Sequence, residues 1–249
     1  MEKELIVTWK KESSGKYFPI GILKSLQKGA RKVYYFSYTK GVIQAKNEGF
    51  SPLFGETKDE ELKRIYISED GIFPVFANRL MTKSRPEYPQ YKQWLDIKNE
   101  DNPLEELAKN NGIRATDNLQ VFAIPEKKNG KYIVDFFIHK FDLIAPEFWI
   151  RIKDFKIDDR LYLTQDIQNP YDKNALLIRT EEPLCFFGYV PRFYTKDFLY
   201  LLNQKDSQAT LRILRINIDA PLLYRVFCRF ESSWSEDFEP FASEEFESF

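Results

Sequence analysis

The hydrophobic period changes twice along this 249-residue chain, and that alternation limits the folds open to it. The first third carries short apolar runs of strand type. Glu4-Leu5-Ile6-Val7-Thr8-Trp9, Pro19-Ile20-Gly21-Ile22-Leu23 and Val33-Tyr34-Tyr35-Phe36-Ser37-Tyr38 are separated by lysine, serine and glycine. Residues 52–68 read as extended. From Asp70 the spacing becomes helical: Asp70 stands as an N-cap, followed by Ile72, Phe73, Phe76, Leu80 and Met81. Pro86 suits the first turn of a second helix through Tyr88, Tyr91 and Leu95, and Asn102-Pro103 and Gly112 bracket a third.

Strands return at Asn118. Leu119–Ile124 is one, and a hairpin at Lys127-Lys128-Asn129-Gly130 leads into a strand over Tyr132–Phe141. Leu161–Leu163, Ala175–Ile178 and Cys185–Val190 follow. Pro191 opens a helix with Tyr194, Phe198, Leu201 and Leu202 on one face, and Ala209–Ile218 and Leu223–Phe230 close as strands. Strands, then helices, then strands predict an α+β chain of two domains, 1–125 and 126–231, with an acidic-aromatic tail at 232–249.

Composition excludes several classes. Hydrophobic residues at 43% and charged residues at 30% are those of a globular chain. Aromatics reach 16%; most rings are expected in a core, and exposed ones are candidate stacking platforms. The net charge of −1 gives no overall attraction to nucleic acid. It is uneven: residues 1–50 hold ten Lys/Arg against four acids, and from Ser232 on there are six acids and no base. The tail reads as a solvated end pinned by its rings or, as the sharper alternative, as a mimic of single-stranded nucleic acid. Two cysteines, Cys185 and Cys228, and the single His139 are too few for a His/Cys zinc site and point to a reducing, cytoplasmic setting. No signal peptide, membrane span, metal site or cofactor fingerprint is visible, and no phosphate loop, HExxH, nucleophile elbow or kinase loop occurs.

One segment is more specific. A strand ending at Asp166 runs into Asn169-Pro170-Tyr171-Asp172-Lys173-Asn174-Ala175, then an apolar strand, then Phe187-Gly188-Tyr189-Val190-Pro191-Arg192 entering a helix. Taken alone, the loop is a turn rich in Asn, Pro and Asp. In this order it resembles the HIRAN domain, a small β-barrel module of nucleic-acid-processing proteins, over roughly residues 130–230. The resemblance implies recognition of single-stranded DNA or DNA 3′ ends. Asn169 would hydrogen-bond the terminal nucleotide, Tyr171 would stack on a base, and Asp172 would accept from the 3′-hydroxyl. Tyr189 and Arg192 would meet phosphate, with Lys173 adding charge beside them. Where the family carries Gly-x-Arg-Tyr on its first strand, this chain has His139-Lys140-Phe141-Asp142. Phe141 could stack and Lys140 could supply charge, but Asp142 stands at an expected basic position.

The N-terminal region resembles the start of HipA-type toxin kinases. Val7-Thr8-Trp9, Ile20-Gly21-Ile22-Leu23, Lys28-Gly29 and Phe36-Ser37-Tyr38 carry the likeness, with Ile72–Leu80 and Ser84-Arg85-Pro86. It covers residues 4–125 and has no kinase core. The expected function is a non-enzymatic nucleic-acid-binding accessory protein for DNA repair, replication restart or phage defence, partnered by a helicase, nuclease or HipA-type kinase and not by membrane. The alternative is an interaction module that docks on such a kinase without binding DNA. A metal-dependent nuclease ranks last, because no ligand cluster is legible.

Overall fold

A computed structural model of the protein describes residues 4–55, 58–143, 150–205 and 207–249. The chain divides into two compact units, Met1–Ile124 with Phe241–Phe249, and Pro125–Pro240. Each is α+β and is built on an antiparallel sheet.

Unit 1 has a five-stranded sheet in the order β4-β3-β2-β1-β5. Its strands are β1 (Glu4–Lys10), β2 (Tyr17–Lys28), β3 (Arg31–Tyr38), β4 (Ile65–Ser68) and β5 (Leu119–Ala123). Strand β2 is longer than its apolar run suggested. Gly21, Leu23 and Ser25 stay buried while Lys24 lies on the outer side, 3.7 Å from Glu4. The inner face sets Leu5, Val7, Leu23, Phe36 and Val121 against helical residues that include Val42, Phe76, Leu104 and Leu107. Burying one such side chain stabilises by about 1.5–3 kcal/mol.

The helices are α1 (Gly41–Asn47), α2 (Asp59–Leu62), α3 (Pro74–Ala77), α4 (Tyr88–Leu95) and α5 (Pro103–Asn110). Three expectations need correction. The stretch 52–68 is not extended throughout, since α2 precedes β4. The helix expected from Asp70 to Met81 is the single turn α3. Gly71 has φ +117°, outside any helix, so Asp70 cannot cap; Pro74 instead opens the helix, as a residue with no N–H to satisfy does well. Pro86 likewise precedes its helix, and Pro89 occupies the first turn of α4. Helix α5 ends as expected, with Asn111 and Gly112 left-handed at φ 55° and 56°.

After α3 the chain is held by Arg79, whose side chain is 1% exposed. It donates to the Val75 and Gly112 carbonyls at 3.0 and 2.6 Å and to Asp117 Oδ2 at 2.6 Å. The tail closes this unit too. Phe241 packs on Phe122 and Phe246, Ser248 bridges Thr39, and Glu244 and Glu247 meet Lys40 at 3.2 and 2.8 Å. The basic start and acidic end of the sequence thus meet inside one unit.

Unit 2 has a seven-stranded sheet, β10-β9-β8-β11-β12-β7-β6. Its strands are β6 (Glu126–Lys128), β7 (Lys131–Phe137), β8 (Arg160–Gln165), β9 (Leu176–Arg179), β10 (Phe186–Tyr189), β11 (Thr210–Ile216) and β12 (Val226–Ser233). Asn129 and Gly130, at φ 51° and 74°, make the expected hairpin turn. Helix α6 (Thr195–Leu202) follows a 3₁₀ turn that opens at Pro191. It stacks Phe198 on Phe230 at 3.7 Å, beside Tyr132, and Trp234 and Phe238 pack on the same tyrosine.

Strand pairing does not close this sheet into the barrel that was expected. Among the described residues, the far edge strand β10 pairs with the chain beyond β7 through a single isolated bridge, between Tyr189 and His139. The strand expected to reach Phe141 stops at Phe137, because Lys140 is left-handed at φ 57° and Phe141–Leu143 is a 3₁₀ turn.

Replacing Arg79 with methionine leaves the Gly112 carbonyl and Asp117 without their donor. Breaking a buried pair costs roughly 3–5 kcal/mol; Asp117 keeps 34% of its side chain in water, so a loss of about 2–4 kcal/mol is expected. Urea unfolding measures it, and a variant within about 0.5 kcal/mol of wild type would show that Arg79 does not hold this unit.

Candidate nucleic-acid interface

The candidate site is the loop from Asp166 to Ala175, which links β8 to β9. Backbone bonds close it at both ends: Asp166 N–H donates to the Ala175 carbonyl at 2.9 Å, and Ala175 N–H donates to the Asp172 carbonyl at 3.0 Å. Inside, Asn169 Oδ1 accepts from the amides of Tyr171 and Asp172 at 3.0 and 3.1 Å, and its Nδ2 donates to Asp166 Oδ2 at 3.1 Å. This is how asparagine earns its place in tight turns. Asn169 therefore shapes the loop with both atoms of its side-chain amide.

Asp172 is fixed the same way. Its Oδ1 accepts from Asn174 N–H at 3.0 Å and its Oδ2 lies 3.1 Å from Arg192 Nε. A carboxylate has about four acceptor sites, so further donors can still reach it. Arg192 also donates from Nη2 to the Tyr171 carbonyl at 2.8 Å, so it braces the loop at two points. The Tyr189 hydroxyl donates to Asp166 Oδ2 at 2.9 Å; burial, then this bond, pushes its pKa up. Tyr189 and Arg192, expected at phosphate, are both engaged within the protein. Asp166, absent from the expected site residues, collects Tyr189 and Asn169; its sequence signal was an acid three residues before the loop asparagine.

With the loop locked beneath it, Tyr171 is 77% exposed. Lys173 is exposed too, its carbonyl accepting from Gln165 Nε2 at 3.2 Å. The structure thus gathers Asn169, Tyr171, Asp172, Tyr189 and Arg192 into one network.

The segment His139-Lys140-Phe141 comes to the end of β10 through the bridge. His139 N–H donates to the Tyr189 carbonyl at 2.9 Å, and Tyr189 N–H returns a bond at 2.8 Å. This approach requires Gly188. Its φ is +114°, and a Cβ there would lie 2.5 Å from the His139 carbonyl oxygen. Lys140 is exposed beside the bridge. Phe141 is not available for stacking: it is 2% exposed and packs edge-on against Phe187. Asp142 is exposed. His139 Nε2 is buried without a hydrogen-bond partner among the described residues. Burial, with Lys140 adding repulsion, pushes its pKa down to about 4.

Among the described residues, no group of three or more His, Cys, Asp or Glu is placed to hold a metal ion, and no helix is long and apolar enough to cross a membrane.

Removing the Asn169 amide with N169A takes an acceptor from two loop amides. Opening should become easier by about 1–2 kcal/mol, so the Tyr171 and Asp172 amides should exchange about 5- to 30-fold faster. Unchanged exchange would mean the loop is held otherwise. His139 makes stability depend on acid. Its folded pKa lies below the ordinary value, so the unfolded chain takes up the proton first. The stabilisation is complete above about pH 6.5 and is lost as pH falls toward 4. Between pH 7 and 4.5 wild type should lose about 2–3 kcal/mol more than His139→Gln; parallel pH profiles would refute this.

Residues 136–235 match the family model described as HIRAN domain. Two solved structures are similar. One is a protein from Lactobacillus plantarum, 11% identical, covering 41% of this chain and 97% of that one, with a TM-score of 0.32. The other is the HIRAN domain of human HLTF, 14% identical, covering 47% of this chain and 86% of that one, also with a TM-score of 0.32. No curated protein matches the chain. Unit 2 carries a HIRAN domain over residues 136–235.

Proposed function

We propose that this is a non-enzymatic nucleic-acid-binding accessory protein whose HIRAN domain holds single-stranded DNA at its 3′ end and positions another activity there. A helicase or nuclease is the partner in view, within DNA repair, replication restart or phage defence. One observation carries the reading: Tyr171 is 77% exposed on a loop that Asn169, Asp172 and Arg192 tie down around it. An exposed ring on a mobile loop loses entropy on binding; on a locked loop it is already positioned for a base. Asp172 adjoins it and retains acceptor capacity. A carboxylate repels phosphate, so a free terminal hydroxyl is the part of a strand it would favour. Lys173 and Lys140 supply exposed positive charge.

A second reading makes unit 1 a detached HipA-like subdomain that docks on a kinase of another chain. It is favoured by the edge strand β4, where Ile65 and Ile67 are exposed. It requires a specific kinase partner and indifference to DNA.

Binding of wild type and Tyr171→Ala to labelled 3′-overhang, 5′-overhang and blunt duplexes tests the first reading. Wild type should prefer the 3′ overhang and weaken when its 3′-hydroxyl is phosphorylated. Loss of the stacking ring should cost about 1–3 kcal/mol, some 5- to 150-fold. Equal affinity for free and phosphorylated 3′ ends would defeat end recognition.

A further inference from the structure

The outward face of the unit 2 sheet carries a line of side chains that the loop does not use. Residues directly opposed on antiparallel strands share a face. Phe186 on β10 opposes Arg179 on β9, which opposes Tyr162 on β8. Two residues along β8, on the same face, Arg160 opposes Arg212 on β11, which opposes Arg229 on β12. The line ends at Asp135 on β7. It crosses six strands, a span of about 24 Å at the usual strand spacing. The alternate residues Leu161, Ile178, Phe187, Leu211, Cys228 and Phe136 are buried on the other side.

Its chemistry is that of a strand-binding surface. The Tyr162 ring lies between two guanidinium groups, Arg160 at 5.2 Å and Arg179 at 5.1 Å. Phe186 is half exposed, and Arg160 and Arg212 are exposed. Among the described residues no carboxylate pairs with Arg160, Arg179 or Arg212. Arg179 bonds Thr164 Oγ1 and the Thr180 carbonyl, and Arg212 bonds the Asp158 carbonyl. The acids on this face are already engaged: Asp135 forks Arg229 at 2.7 and 2.8 Å, Glu181 accepts from the Tyr162 hydroxyl, and Glu231 pairs with Lys131. Arg160 and Arg212, directly opposed on neighbouring strands, repel each other, and like charges so placed weaken a sheet, while Arg229 beside them is paired with Asp135. That repulsion between Arg160 and Arg212 is a cost to folding, and a polyanion laid along the pair would relieve it.

We propose that this stripe is a second binding surface, taking the body of a single-stranded nucleic acid. Arg160 and Arg212 meet successive phosphates, Arg229 is held by Asp135 at the end of the stripe, and Tyr162 and Phe186 stack on bases. The proposal rests on the reading of unit 2 as a nucleic-acid-binding domain and adds the strand's interior to its 3′ end.

The test uses the full chain and an oligothymidine of about 20 nucleotides ending in a 3′-hydroxyl or a 3′-phosphate, from about 50 to 200 mM salt. Each phosphate contact on a single strand contributes about 0.7 to the slope of log affinity against log salt. Arg160→Ala/Arg212→Ala should lower that slope by about 1.4, weaken binding at least about tenfold at low salt, and keep the preference for a free 3′ end. Arg160→Lys/Arg212→Lys should restore the slope. Tyr171→Ala should keep the slope and lose the end preference, so each site fails separately. The stripe is overturned by an unchanged slope and affinity in the folded double-alanine variant, or by a wild type that binds neither oligonucleotide. It is overturned equally by a polyglutamate peptide that binds as tightly and is weakened by the same pair.

Discussion

The two backbone hydrogen bonds between His139 and Tyr189 are the constraint on which unit 2's candidate site depends. They hold the end of β10 against the chain leaving β7, where strand pairing otherwise leaves the sheet open. Through them Tyr189 is fixed, Tyr189 fixes Asp166, and Asp166 anchors the loop asparagine. Gly188 is the sequence's concession to this approach, since any side chain there would collide with the His139 carbonyl. An apolar ring at position 139 would meet the same burial without linking the bridge to pH.

Within the loop, labour is divided between residues that hold and residues that present. Asn169, Asp166 and Arg192 use their side-chain polar atoms within the protein, Tyr171 is held by its backbone and presents its ring, and Asp172 does both. The same letters would suit a purely structural turn or a binding loop. What separates the two is that the largest apolar group faces water while its small polar neighbours are satisfied, the reverse of what stability alone favours.

Much of this was legible in the sequence. The strands followed from alternation, the Asn129-Gly130 hairpin from its turn residues, and the α5 boundaries from Asn102-Pro103 and Gly112. What failed, failed for local backbone reasons. Helical spacing from Asp70 was real as a burial pattern, since Phe73 and Phe76 both reach the core, but Gly71 and Pro74 confine the helix to one turn. Phe141 looked like a strand residue facing a ligand because the left-handed turn at Lys140 was invisible in the letters. The arginine line was illegible for another reason. Arg160, Arg179, Arg212 and Arg229 lie far apart in sequence, and only the registers of β8, β9, β11 and β12 align them.

Register also resolves the charge paradox. A chain of net charge −1 offers a polyanion no long-range attraction. At physiological salt, however, fields fade over about 8 Å, so a bound strand responds to the charges it touches and not to the total. Many of the chain's acids are engaged elsewhere, Glu244 and Glu247 of the C-terminal tail on Lys40 among them. On the outer face of unit 2, the guanidinium groups of Arg160 and Arg212 are left facing each other across neighbouring strands. Proteins tolerate such local cost where function needs it, because the stability lost is small beside the total that folding supplies. A single phosphate oxygen between two opposed guanidinium groups changes the sign of the interaction, from a repulsion the sheet must absorb to an attraction it can use.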